Sequence, residues 1–132
     1  MDSEGRREET AAVQVIIADD HESLRTLLGR LFSHYADLEI VGLAGTGEEA
    51  IALAGEHRSA VVVMDADMPG IGGVEATRRL VEASPGARVI GYSARENAHV
   101  MRGAGAISFV CKGSAPNVLL DAIRATGRTE AD

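Results

Sequence analysis

"AVVVMDADMPG", residues 60–70, opens on the most water-averse run of the chain and breaks into acid at Asp65 and Asp67 before Met68-Pro69-Gly70 ends it. A short β-branched run closed by a Pro-Gly turn reads as a strand covered on both faces. Carboxylates at the rim of such a core are costly unless they are hydrogen-bonded, paired or bound to a metal. Asp is also common where a strand becomes a loop, because its side chain bonds nearby backbone amides. The rest of the chain decides between a turn former and a site.

Outward from this stretch, apolar runs alternate with amphipathic ones. VQVIIA (residues 13–18) is a strand, followed by a helix over residues 22–35 with Leu24, Leu27, Leu28 and Leu31 spaced to share its inner face. LEIVGLA (38–44) is the second strand. GEEAIALAGEHR makes the second helix, with Ala50, Ile51, Leu53 and Ala54 facing inward. AVVVMD is the third strand, and its helix spans residues 74–83, stopped by SPG. ARVIGYS is the fourth strand, a short helix covers 97–102, and ISFVC is the fifth strand. APNVLLDAIRAT closes the pattern as a helix, with Pro116 suited to its first turn. Strands alternating with helices across short connectors predict an α/β fold with a parallel sheet. The expected form is a flavodoxin-like, doubly wound, five-stranded sheet of order 2-1-3-4-5 with helices on both faces.

Composition sets the outer limits. At 132 residues the chain is long enough for one domain with a real core and too short for two. We expect a charged, disordered tail over 1–12, a domain over 13–126, and a tail or linker start over 127–132. The N-terminus lacks an apolar segment of secretory type, and no apolar run approaches the ~20 residues of a membrane span. A single cysteine, Cys111, excludes an internal disulfide and fits a reducing cytoplasm. Net charge is −7, from 20 acids against 13 bases, which argues against direct contact of this chain with nucleic acid.

In an open doubly wound sheet of this order, ligands sit beyond the carboxyl ends of strands one and three, where strand order reverses. Strand one ends in IIADDHE, so Asp19 and Asp20 arrive beside Asp65. Three carboxylates on one edge repel one another strongly. A divalent cation relieves this, and oxygen-only ligands suit Mg²⁺. Helix capping is the competing role for Asp19 and Asp20, and one of them can cap while the other binds metal. Strand four ends in Ser93 and strand five in Lys112, so each strand end at the crevice carries a polar group suited to phosphoryl chemistry.

ADD, VVVMDADMPGIGG, VIGYSA and GAISFVCK resemble, in order and spacing, the motifs of two-component response-regulator receiver domains. The resemblance covers residues 13–126, and its DDH start and KGSAPNVLLDAIRA ending are most similar to receivers of the NarL/LuxR type. It implies that Asp65 is the phosphoacceptor, taking a phosphoryl group from a histidine kinase. It also implies that Mg²⁺ is held by Asp19, Asp20, Asp65 and the backbone carbonyl of Asp67, that Lys112 pairs with Asp65 or the phosphoryl group, and that the Ser93 hydroxyl donates to a phosphoryl oxygen. Phe109 occupies the place of the family's switch aromatic. With no phenolic hydroxyl, its switching with Ser93 would rest on packing. The Asp67 side chain sits where receivers tune phosphoryl lifetime, and its charge is expected to slow attack on the acyl phosphate or to discourage phosphodonors.

The implied protein is a self-phosphorylating switch rather than a turnover enzyme, serving transcription through an attached or partner helix-turn-helix domain, with no membrane contact. Homodimer formation stays open. The chain departs from the family in having about three fewer residues between Ser93 and Lys112, nearly one turn of helix. Helix four should therefore be short and, with Gly103 and Gly105, easily unwound. A phosphorylation-independent receiver acting as an interaction module is one alternative. A phosphatase of the haloacid-dehalogenase kind also uses DxD after an apolar strand, but there the DxD strand comes first and the acidic pair follows the Lys.

Overall fold

The computed structural model describes residues 11–129. Residues 1–10 and 130–132, which take in most of the expected N-terminal tail and the end of the expected linker, lie outside the described residues. Strands β1 (Val13–Ala18), β2 (Leu38–Ala44), β3 (Val61–Met64), β4 (Arg88–Ser93) and β5 (Ser108–Cys111) form one sheet in the order β2-β1-β3-β4-β5. Every described pairing is parallel, with one register shift between Val15 and Ile16 where β1 meets β2. Helices α1 (Glu22–Ser33), α2 (Gly47–Glu56), α3 (Gly72–Ala83), α4 (Ala98–Ala104) and α5 (Pro116–Thr129) alternate with the strands, and a 3-10 turn, Arg95–Asn97, leads into α4. This is the doubly wound order expected from the sequence.

Side-chain alternation along the strands divides the core in two. Ile16, Ala18, Val62 and Met64 point to one face, under Ala50 and Ala54 of α2, Ala76 and Leu80 of α3, and Met101 of α4. Val15, Ile17, Val61, Val63, Ile90 and Tyr92 point to the other, under Leu28 and Phe32 of α1 and Leu119, Leu120 and Ile123 of α5. The strands read as apolar throughout because helices cover both sides.

The helix ends follow local chemistry. Thr46 caps α2 by accepting from the Glu49 amide at 3.1 Å, while Glu49 Oε1 accepts from the Gly45 amide at 2.7 Å. At α1 the cap position is His21, whose side chain makes no capping bond, so neither Asp19 nor Asp20 occupies the cap. The expected inner face of α1 needs correction at Leu27, which is 60% exposed, whereas Phe32 is fully buried. The buried stripe runs through Leu28 and Phe32, one helical turn apart, and Leu27 falls off its edge.

Boundaries shift by small amounts. Helix α1 stops at Ser33, short of Tyr35, and α2 stops at Glu56. Helix α3 starts at Gly72, two residues before the expected 74, and α5 continues to Thr129, beyond the expected Thr126. A Cβ at Gly127 would meet the Val13 side chain at 2.7 Å, so the last turn of α5 lies directly on the start of β1. Helix α4 has the expected brevity at 7 residues and is pinned by Met101, which is fully buried. No described helix is long and apolar enough to cross a membrane.

Candidate functional site

Three charged side chains are set in place by the backbone ladder, which runs one residue past the strands. The Asp19 amide donates to Ala44 O at 2.9 Å, the Asp65 amide to Ala18 O at 3.0 Å, and the Lys112 amide to Ser93 O at 2.9 Å. Each residue therefore keeps strand geometry while its side chain reaches the sheet's carboxyl edge. Asp19 and Asp65 are almost fully buried, at 1% and 3% exposure.

Lys112 joins them. Its Nζ lies 2.6 Å from Asp19 Oδ2 and 3.0 Å from Asp65 Oδ2. Asp19 Oδ2 accepts no other hydrogen bond among the described residues, so this ion pair is what balances it. Burial works against the Lys112 ammonium, but the Asp19 and Asp65 carboxylates outweigh it and hold the group above the ordinary lysine range. The same ammonium stands 5.8 Å from the ring centroid of Tyr92, whose phenol is pushed up by burial.

The remaining carboxylate oxygens are organised locally. Asp19 Oδ1 accepts from the His21 amide at 2.9 Å, and Arg25 Nη1 from α1 donates to the Asp19 carbonyl at 2.7 Å. Asp65 Oδ1 accepts from the Asp67 amide at 3.1 Å. Behind Asp65 there is no spare space: a Cβ on residue 73 would fall 1.7 Å from the Asp65 carbonyl oxygen, so only glycine lets α3 begin there.

Asp19, Asp20, His21 and Asp65 each offer a ligand atom, all within 4.8 Å of one another. Asp20 and His21 are the exposed members, with His21 Nδ1 at 3.1 Å from Asp19 Oδ1 and 3.4 Å from Asp20 Oδ1. Three carboxylates against Lys112 and the Arg25 guanidinium on the Asp19 carbonyl still leave excess negative charge, and hard oxygen donors suit a small divalent cation. The residues fit such an ion. Asp20 was expected here and stands here; His21, adjacent in the DDH run, was not weighed from the sequence.

Ser93 is buried, and its Oγ accepts from Asn97 Nδ2 at 2.9 Å. The same Nδ2 lies 3.3 Å from Asp67 Oδ2, so the exposed Asp67 side chain leans toward the β4–α4 connection. Phe109 is half-buried and stands opposite Gly91 in the β4–β5 register. A Cβ on residue 91 would sit 2.7 Å from the Phe109 ring and 3.2 Å from Met101, so glycine there makes room for both.

Comparison with known proteins identifies relatives of this arrangement. The family model for the response regulator receiver domain matches residues 15–124. The chain is 37% identical over 115 residues to the response regulator GacA of Pseudomonas protegens, an alignment covering 85% of this chain and 54% of that protein. It is likewise 37% identical over 116 residues to the response regulator UvrY of Escherichia coli K12, covering 85% and 53%. It thus spans about half the length of these relatives. Among solved structures, a LuxR-family two-component response regulator from Aurantimonas superposes with a TM-score of 0.82 at 31% identity, covering 90% of this chain and 87% of that one. The receiver domain of a NarL regulator from Mycobacterium tuberculosis gives 0.81 at 25% identity, covering 89% and 98%.

Proposed function

This chain is a response-regulator receiver domain, and from that premise we propose that Asp65 is its phosphoacceptor, charged by a histidine kinase. The observation that carries the reading is Lys112 lodged between the buried carboxylates of Asp19 and Asp65. An Asp65 oxygen attacks phosphorus in line, the new O–P bond forms, and the bonding pair of the breaking N–P bond leaves with the donor's imidazole nitrogen. Lys112 holds the acceptor carboxylate in place and balances charge on the transferred group. The Ser93 hydroxyl donates to one of the phosphoryl oxygens.

Asp19, Asp20 and Asp65, with the backbone carbonyl of Asp67, would hold Mg²⁺. When bound, the ion supplies charge neutralisation on the transferring oxygens. Asp19 and Asp20 keep that position acidic, and the Arg25 bond to the Asp19 carbonyl keeps the Asp19 backbone from retreating. Phe109 is the proposed switch aromatic, packing where Ser93 leaves space. The output is transcriptional, exercised through a helix-turn-helix domain attached to this one or supplied by a partner, and cytoplasmic. The −7 net charge supports leaving DNA contact to that other domain.

Incubation with Mg²⁺ and acetyl phosphate, read by intact mass, tests the proposal. One phosphoryl group per chain is expected, with none on Asp65→Asn. No label on the unaltered chain, or labelling that persists in Asp65→Asn, would reject it.

A further inference from the structure

Asn97 stands at the junction of the 3-10 turn and α4, in the cap position of that helix. Asn is favoured there because its side-chain oxygen accepts a backbone N–H of the first turn. Asn97 makes no such bond. Its amide instead turns back over the rim of the pocket, where Nδ2 reaches both Ser93 Oγ at 2.9 Å and Asp67 Oδ2 at 3.3 Å. A carboxylate only accepts, so the NH₂ end must face Asp67, and its second hydrogen goes to Ser93. The Asn97 amide N–H, bonded to Ala94 O at 2.9 Å, holds the turn that presents this side chain.

We propose that Asn97 is a positioning residue that presets the Ser93 hydroxyl as a donor to the phosphoryl group on Asp65, and that it is itself anchored by the charge of Asp67. The inference rests on Asp65 being the phosphoacceptor. A serine oxygen that accepts from Asn97 keeps its own hydrogen free, and the bond restricts where that hydrogen can swing. Ser93 is 2% exposed, so little water competes for the hydroxyl. A donor oriented before the charge arrives needs no reorganisation as it develops. The loop after β4 thereby gains a polar link to the loop after β3 that does not pass through the acidic cluster.

Two comparisons test this with Mg²⁺ and acetyl phosphate as reagents and the labelling rate of the full chain as readout. In the first, Asn97→Ala should label about five- to tenfold more slowly, and Asn97→Ala with Ser93→Ala no more slowly than Ser93→Ala alone. In the second, Asp67→Asn with Asn97→Asp exchanges the two partners. The 67–97 bond returns with its direction reversed, and the new carboxylate at 97 draws the Ser93 hydrogen away from the phosphoryl group. This pair should melt close to Asp67→Asn yet label about five- to tenfold more slowly than it. A purely structural role would restore both.

Unchanged labelling in Asn97→Ala, losses that multiply in the Ser93 double variant, or a swapped pair as fast as Asp67→Asn each overturn the inference while leaving Asp65 as acceptor. Failure of the unaltered chain to label at all overturns the acceptor assignment, and this inference with it.

Discussion

The rim of the sheet has two halves built on different terms. Beneath β1 and β3, the buried Asp19 and Asp65 are held by ladder hydrogen bonds, by Arg25 and by the glycine contact with α3. Beyond β4 and β5, Ser93 and Phe109 are held by one asparagine amide, a short helix and the space left over Gly91. Lys112 spans the two, one residue past β5 and bonded to Ser93 by its backbone, and among the acids by its side chain. The difference is one of bracing: the first half fixes its charges with several backbone and side-chain bonds, and the second holds Ser93 and Phe109 with fewer. Damage to the first should act as a switch, and damage to the second by degrees.

The largest expected effect lies in the first half. Asp65→Asn should abolish phosphoryl labelling while the protein stays folded, checked by mass spectrometry and thermal melting; labelling that persists would overturn the acceptor assignment and the division with it. Lys112→Met comes next, lowering the labelling rate about a hundredfold through loss of the positive charge beside the acceptor. It also bears on alkaline stability. The Lys112 pKa is raised in the folded state above the usual 10.5, so its contribution is full below that value and is lost as pH rises through the folded one. Melting of the unaltered protein should fall in that alkaline window, and the fall should flatten in Lys112→Met.

In the second half the effects shrink. Phe109→Ala should cost about 2 kcal/mol in denaturant unfolding, less than a fully buried ring because the ring is only partly buried against the core, and should leave labelling near normal while blunting any phosphorylation-induced change in the spectrum of β5. Asp67→Asn should speed loss of the phosphoryl group about threefold, as expected for one nearby exposed charge; equal decay rates would remove Asp67 from the tuning role. The finest comparison is amide exchange across residues 97–102, expected to be faster than in α3. Strong protection there would place α4 with the rigid half.

Four strand-end residues were legible because strand length and apolar runs fix where a strand must stop, whereas the sheet order came from the general doubly wound arrangement and the family resemblance. Asp19, Asp65, Ser93 and Lys112 each follow directly on, or close, such a run. Asp20 could be placed by adjacency alone. Phase along a helix was less legible: Leu27 and Phe32 are both apolar, and only the neighbouring sheet decides that Phe32 turns in and Leu27 out. His21 could have been read from the DDH run as a potential ligand, since imidazole beside two carboxylates is an ordinary ligand pattern. Asn97 left no periodic signal, because it lies on a 3-10 turn where the hydrophobic spacing of helices does not apply. The tight fit of Gly73 and Gly91 depends on distances between elements far apart in sequence, which no local pattern encodes.

The contact of Gly73 with the Asp65 carbonyl has a mechanical side. It is a backstop: the chain after β3 is already pressed against the first turn of α3. If Asp65 is phosphorylated as proposed, its backbone has no room to yield on the α3 side. A signal entering at that carboxylate would then be steered one way by the absence of slack behind it.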